Sequence, residues 1–281
     1  MNPLRVALIQ TRTPATPGAA LAHIQPLVEQ ATVGGVKLIV TPEATNLMEK
    51  RPEKKAGLIA DIGADAVVQG LKAQAAERDV WILIGSAMVR SDDPDDPRAA
   101  NRSILINDRG EIESTYDKLH VFDVDLPNGE RHRESAGVRP GDRAVVAHTP
   151  WGGLGLTVCY DLRFPGLFRS LARAGADIIT VPAAFTRPTG EAHWETLLRA
   201  RAIETGCFVL APAQGGDHED GRATWGRSMA IDPWGKVIAA LDHDEPGVLF
   251  AELDLSAVAR ARAAIPQLVH ERCFADPRPC A

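Results

Sequence analysis

No run of about 18 apolar residues occurs in the sequence, so no membrane-spanning helix is expected. The N-terminus, MNPLRVALIQ, lacks the longer apolar segment and small-residue cleavage site of a secretory signal. Cysteine is scarce. Cys159, Cys207, Cys273 and Cys280 are the four in 281 residues, and none forms a CxxC pair. That density does not suit a disulfide scaffold, and the spacing does not suit a structural zinc site. Basic runs are missing as well, and the net charge is −6 with a pI near 5.8. The chain therefore offers no electrostatic footprint for nucleic acid or an anionic membrane. No GxGxxG or P-loop pattern supports nucleotide binding. A cytoplasmic protein without nucleic-acid or membrane partners is the expectation.

What is present is ordinary globular composition, 45% hydrophobic and 24% charged. Apolar runs of strand length recur at 5–10 (RVALIQ), 37–41, 80–86, 103–107, 154–159, 176–181, 208–213, 228–232 and 247–252. Most are continuously apolar rather than alternating, which predicts strands covered on both faces. Helical patterns lie between them. One spans 19–33, with Pro26 as a point of kinking. Another spans 65–78, with Asp65 as cap and Val67, Val68, Leu71 and Ala75 on one face. A third spans 164–174, with Pro165 in its first turn and Gly175 beyond its end. The fourth, 193–205, puts Trp194, Leu197, Leu198 and Ile203 on one stripe and stops at Gly206. The last is 256–264. Alternation of strands and helices predicts α/β architecture. The polar stretch SDDPDDPR at 91–98 reads as a loop between strands. No linker divides the chain, so one domain over 1–281 is expected.

Three segments end a strand in a reactive residue, and active sites of α/β sheets are built at the carboxyl ends of strands. KLIVTPE delivers Glu43 behind Pro42, which fixes the backbone. YDKLHVFD sets Lys118 among aromatic and aliphatic neighbours, where a buried ammonium needs a partner. GLTVCYDLRFP runs a buried strand into Cys159, with a helix near Pro165 whose dipole would favour a thiolate. The Tyr160 backbone N–H would then be placed for an oxyanion. Each segment alone also fits a plainer reading: a solvated strand-end Glu43, a Lys118 reaching out to solvent, a buried inert Cys159. Together they form a chemical set. A thiol attacks a carbonyl, a carboxylate moves the proton to the leaving amine, and a cation offsets charge on the oxygen.

These segments resemble the nitrilase superfamily of carbon–nitrogen hydrolases. The likeness runs from RVALIQ to IPQLVHER and is densest over 158–235, through VCYDLRFP, FTRPTGEAHWETLLRARAIE and GRSMAIDPWG. It implies Glu43 as general base, Lys118 as oxyanion stabiliser, Cys159 as nucleophile and Glu134 as a second glutamate holding the lysine or the substrate. An exposed Glu134 in a polar loop remains the alternative. The resemblance further implies a four-layer α-β-β-α sandwich, homodimers or larger homo-oligomers, and no metal or organic cofactor. The closest branch acts on deaminated glutathione, through a thioester at Cys159. Omega-amidases acting on 2-oxoglutaramate, N-carbamoyl amino acid amidases and nitrilases are the alternatives within the superfamily. Ala183, Arg227 and Gly166 depart from that branch, where Ser, His and Glu are usual. Tyr160, Arg163, Phe185 and Arg187 are the candidate substrate contacts, with Arg227 a further cation for an anionic substrate. Arg163 and Arg187 equally suit structural pairing with Asp161 or Glu191.

A papain-like reading would use His120 or His193 as base, and a non-catalytic binding module is the remotest alternative. The stretches 218–220 (HED) and 242–244 (DHD) read as surface loops, and 123–138 as a lid. Cys207 reads as core, and Cys273 and Cys280 as residues of an irregular tail.

Overall fold

The computed structural model describes residues 3–126 and 129–275. Cys280 and its flanking prolines, and part of the expected lid, lie outside the described residues. Two large sheets face each other. In the first, Leu4–Gln10, Leu38–Val40 and Trp81–Arg90 run parallel side by side. Gly247–Leu253 closes one edge antiparallel to Leu4–Gln10. Ala99–Ile106 and Ile112–Asp117 extend the other edge, and Val138–Arg139 pairs alongside Ala99–Ile106. In the second sheet Gly152–Leu156, Ala176–Thr180 and Phe208–Ala211 are parallel. Val145–Thr149 flanks them on one side, and Met229–Ile231 then Val237–Ala240 on the other.

The continuous apolar runs follow from burial on both faces. Leu4, Val6 and Leu8 enter the core between the sheets, while Ala7 and Ile9 pack against Ile24, Val28, Val68 and Leu71 of two helices. Leu38 and Val40 face inward and Ile39 outward in the same way. Side chains alternate with period two, so a strand between two layers must be apolar at every position. Helices Pro17–Thr32 and Ala66–Arg78 cover the first sheet, and Pro165–Arg173 and Arg187–Thr205 cover the second. The result is an α-β-β-α sandwich. Each fully buried Leu or Ile contributes roughly 1.5–3 kcal/mol, so the inter-sheet core dominates stability.

Several local expectations hold. Asp65 caps its helix by accepting from the Val67 and Val68 amides, both at 3.0 Å. Gly206 ends the Arg187–Thr205 helix at φ +61°. Others need correction. That helix starts at Arg187 rather than 193, because Pro188 suits a first turn. Ile203 is 49% exposed and does not share the buried face of Trp194 and Leu198. The first helix begins at Pro17 rather than 19 and contains Pro26. His218 and Asp220 are buried rather than surface residues: His218 Nε2 meets Thr224 Oγ1 at 2.7 Å and Asp220 pairs with Arg222. No helix among the described residues is long and apolar enough to cross a membrane.

Candidate active site

Glu43 follows the Leu38–Val40 strand, Lys118 follows Ile112–Asp117, and Cys159 opens a 3-10 helix, Cys159–Arg163, just beyond Gly152–Leu156. The first two come from one sheet and the cysteine from the other. Two turns at the site are strained. Cys159 has φ +50° and Ala44, next to Glu43, has φ +55°. Non-glycine residues adopt that region only when their surroundings hold them there. The Cys159 N–H donates to the Pro182 carbonyl at 2.9 Å, and the Ala44 N–H donates to Ser86 Oγ at 2.9 Å.

Glu43 and Lys118 are buried, Glu134 is partly exposed, and a hydrogen-bond network joins them. Lys118 Nζ donates to Glu43 Oε1 at 2.9 Å and to Glu134 Oε2 at 2.8 Å. Asn101 Nδ2 donates to Glu43 Oε1 at 2.9 Å and to Glu134 Oε1 at 3.2 Å. The Ala184 N–H donates to Glu43 Oε2 at 3.0 Å. Glu43 also lies close enough to the Cys159 thiol for each to shift the other's protonation. Glu134 is in turn fixed by the Phe122 N–H at 2.6 Å.

This environment sets the protonation states. Burial opposes charge on Glu43, but Lys118 and the hydrogen bonds from Cys159, Lys118 and Asn101 outweigh it and hold the carboxyl below its ordinary range. Burial likewise opposes the Lys118 charge, yet Glu134 and Glu43 keep the ammonium well above the usual lysine range. Burial, and then the Glu43 carboxylate, push the Cys159 thiol well up despite Lys118. The resting set is thus thiol, carboxylate and ammonium. The thiolate expected from a helix dipole is not what the surroundings favour. The α-helix begins only at Pro165, and desolvation beside a carboxylate outweighs a distant dipole.

Asp161 joins the two arms. Its carboxylate accepts from the Val158 N–H at 2.8 Å, the His120 N–H at 3.0 Å and the Tyr116 hydroxyl at 2.7 Å. It also meets His120 Nδ1 at 2.6 Å, and the His120 ring stacks on Phe164. His120 therefore serves the scaffold of the Cys159 turn and leaves Glu43 as the carboxylate beside the thiol. His193 lies against Arg163 instead.

A cavity of about 950 Å³ opens over Cys159. Tyr160, Arg163 and Phe185 line it, as does the 131–138 part of the expected lid segment. Arg187 does not. Its guanidinium is engaged by Asp217 at 3.0 Å and Asp244 at 3.2 Å, which corrects its placement as a substrate contact. Arg227 lies over the Trp225 ring at 3.9 Å, outside the cavity wall, and Ala183 is fully buried behind it. Gly166 lies exposed in the first turn of the Pro165–Arg173 helix. Sequence reading missed Asn101, which stands out only as part of a glycosylation-like NRS. The link is register: the Lys118 N–H donates to the Asn101 carbonyl at 3.0 Å, so neighbouring strands place both side chains at one spot. Among the described residues no cluster of three or more His, Cys, Asp or Glu could hold a metal ion.

Comparison with known proteins fits this geometry. The family of carbon-nitrogen hydrolases matches residues 5–263, a span that contains both sheets and every residue of the site. The chain belongs to the carbon–nitrogen hydrolase family. Within this family it is 42% identical over 275 residues to the deaminated glutathione amidase of Yersinia enterocolitica, covering 97% of this chain and 94% of that one. The structure of the C. elegans NitFhit protein superposes with a TM-score of 0.89 at 33% identity, covering 97% of this chain. The chain spans 66% of that protein's length. A mutant of the amidase from Nesterenkonia sp. AN1 superposes with a TM-score of 0.75 at 26% identity, over 94% of this chain and 98% of its own, and its structure shows the Michael addition of acrylamide at the active site cysteine. As a carbon–nitrogen hydrolase, the chain is an amide-hydrolysing enzyme that works through a cysteine nucleophile.

Proposed function

We propose that Cys159 is this nucleophile and that the substrate is deaminated glutathione or a closely related 2-oxo acid amide. The observation that carries the reading is that one cavity brings together Cys159, Glu43 and Lys118, with Glu43 accepting from the Lys118 ammonium at 2.9 Å. As the Cys159 sulfur attacks the amide carbon, Glu43 takes the thiol proton. Lys118 offsets the charge that builds on the carbonyl oxygen. The Tyr160 N–H precedes the first bond of its 3-10 helix, Asp161 N–H to the Val158 carbonyl, and so has no acceptor within that helix. It supplies a second donor to the oxygen. Collapse of the intermediate breaks the C–N bond, Glu43 returns the proton to the leaving amine, and a thioester remains. Water, deprotonated by Glu43, then releases the acid and restores the thiol. Glu134 holds Lys118 in place throughout.

The choice of substrate rests on the relatives' activity and on charge. The protein is acidic overall, yet lysines and arginines outnumber carboxylates in the cavity wall. A dicarboxylate is attracted to such a wall, and salt screens the attraction. Release of 2-oxoglutarate from deaminated glutathione and from 2-oxoglutaramate measures both candidates in one assay. Wild type should turn over the first with the higher kcat/KM, and that value should fall several-fold between about 0.02 and 0.5 M salt. Turnover of neither compound removes the substrate assignment, and a salt-independent kcat/KM removes the electrostatic argument for it.

We further infer a homodimer in the cytoplasm. Trp234 is 60% exposed and Ile203 49%, and Gly235 packs against Ile203, which places these apolar residues together on the outer side of the Arg187–Thr205 helix. Sedimentation should give about twice the chain mass of 30.2 kDa, and a monomer would refute the assembly. Cys159, Cys207 and Cys273 are free thiols, which suits a reducing compartment; cell fractionation that finds the protein among secreted species would refute the location.

A further inference from the structure

Most cations in the cavity wall already have anionic partners: Lys118 holds Glu43 and Glu134, Arg98 holds Asp96, and Arg222 holds Asp220. Lys50, which is exposed, forms no salt bridge among the described residues, and two more deeply set cations share that property, Lys55 and Arg163. Both are half-buried. Arg163 belongs to the cysteine side. It follows Cys159 in the 3-10 helix, and its guanidinium lies 5.5 Å from the Phe185 ring centre and 6.0 Å from that of Tyr160.

Lys55 belongs to the opposite side. It sits on the short helix Pro52–Ala56, in the segment that follows Glu43. That segment is anchored by Leu58 and Ile59, which pack against Leu47, Met88, Ala99 and Val138. The charges that Lys55 feels are Arg222, Glu134, Lys118 and Glu43. Burial, reinforced by Arg222, already disfavours its charge and draws it below the ordinary lysine range. Glu134 and Glu43 act the other way without restoring it, so a further anion brought against this ammonium would be favourable.

Glu43 hands its proton to the departing amine, so the amine part of the substrate leaves on the Glu43 side. We propose that Lys55 binds a carboxylate carried by the leaving amine, and so selects amides whose amine product is an amino acid or short peptide rather than ammonia. This rests on the amidase reading above and adds a specificity residue to it. Deaminated glutathione carries such a carboxylate on its terminal glycine, and 2-oxoglutaramate does not.

The test uses deaminated glutathione and the same compound with its glycine carboxylate converted to a carboxamide. In wild type the acid should exceed the carboxamide in kcat/KM by roughly 10- to 100-fold, mostly through KM, as expected for one charge-assisted hydrogen-bonded pair. In Lys55→Gln the two substrates should converge, and Lys55→Arg should keep most of the gap. No residue of the Pro52–Ala56 helix is buried, and a ratio taken within one variant cancels any loss of folded enzyme. A gap that survives in Lys55→Gln, or equal turnover of both compounds by wild type, overturns the role of Lys55 and leaves the amidase reading intact. If wild type hydrolyses neither compound, the deaminated-glutathione substrate reading falls and the Lys55 assignment falls with it.

Discussion

Cys159→Ala is expected to lower kcat/KM on the order of 10⁴-fold or more while the protein stays folded, because removing a nucleophile leaves only binding and oxyanion stabilisation. The substitution removes a sulfur from a buried position without adding bulk, so the neighbouring backbone bonds can persist. Intact-mass analysis of wild type quenched during turnover should show an acyl adduct that Cys159→Ala lacks. Glu43→Gln separates this mechanism from one based on histidine. It keeps the size of the side chain and removes the proton acceptor, and the expected loss is about 10²- to 10⁴-fold. Should Glu43→Gln retain near-normal kcat while His120→Asn does not, the thiol's proton must travel by another route. The raised thiol and lowered carboxyl described above make the point sharper: at neutral pH the resting cysteine needs a base, and Glu43 is the carboxylate beside it.

Gly85→Ala should be nearly as damaging, although Gly85 touches no substrate. A Cβ there would lie 2.0 Å from the Thr41 carbonyl oxygen, 2.6 Å from that of Pro42 and 2.4 Å from Pro182 Cβ. Pro42 leads into Glu43, and Pro182 accepts the Cys159 N–H. The methyl group would therefore wedge the two catalytic turns apart. Two of its neighbours are backbone, which cannot rotate away, so we expect a stability loss of ~3 kcal/mol. Misplacement of reacting groups by about 1 Å can cost about 100-fold in rate, so kcat should fall by at least that much in the fraction still folded. Denaturant titration and single-turnover rates measure the two effects separately. A variant with normal stability and normal kcat would show that the sheets can give way at this contact.

The sequence made some of this legible and hid the rest for physical reasons. Central strands announce themselves, because burial on both faces leaves an uninterrupted apolar run, and a reactive residue at the end of such a run is conspicuous. Glu43 and Cys159 are of that kind. Lys118 is not. The strand before it, Ile112–Asp117, is a mostly exposed edge strand whose polar residues give no apolar run. Lys118 is picked out by its odd neighbours and by family resemblance. Asn101 was invisible as a site residue, since its role exists only through its pairing beside Lys118. Arg187 misled for the opposite reason. It lies in a strongly matching segment, but its partners Asp217 and Asp244 are distant in sequence. Lys55, within PEKKA, looks like any solvated lysine until the fold lays that turn over the cavity.

The pairing of Leu4–Gln10 with Gly247–Leu253 has a consequence for how the enzyme is made. Leu4–Gln10 precedes Gly247–Leu253 by more than two hundred residues, so it must wait for that length of synthesis before this neighbour exists. Until then one edge of the growing sheet stays open, a surface prone to pair with the wrong chain. Synthesis of Gly247–Leu253 is therefore the moment at which that edge stops being a hazard to neighbouring chains.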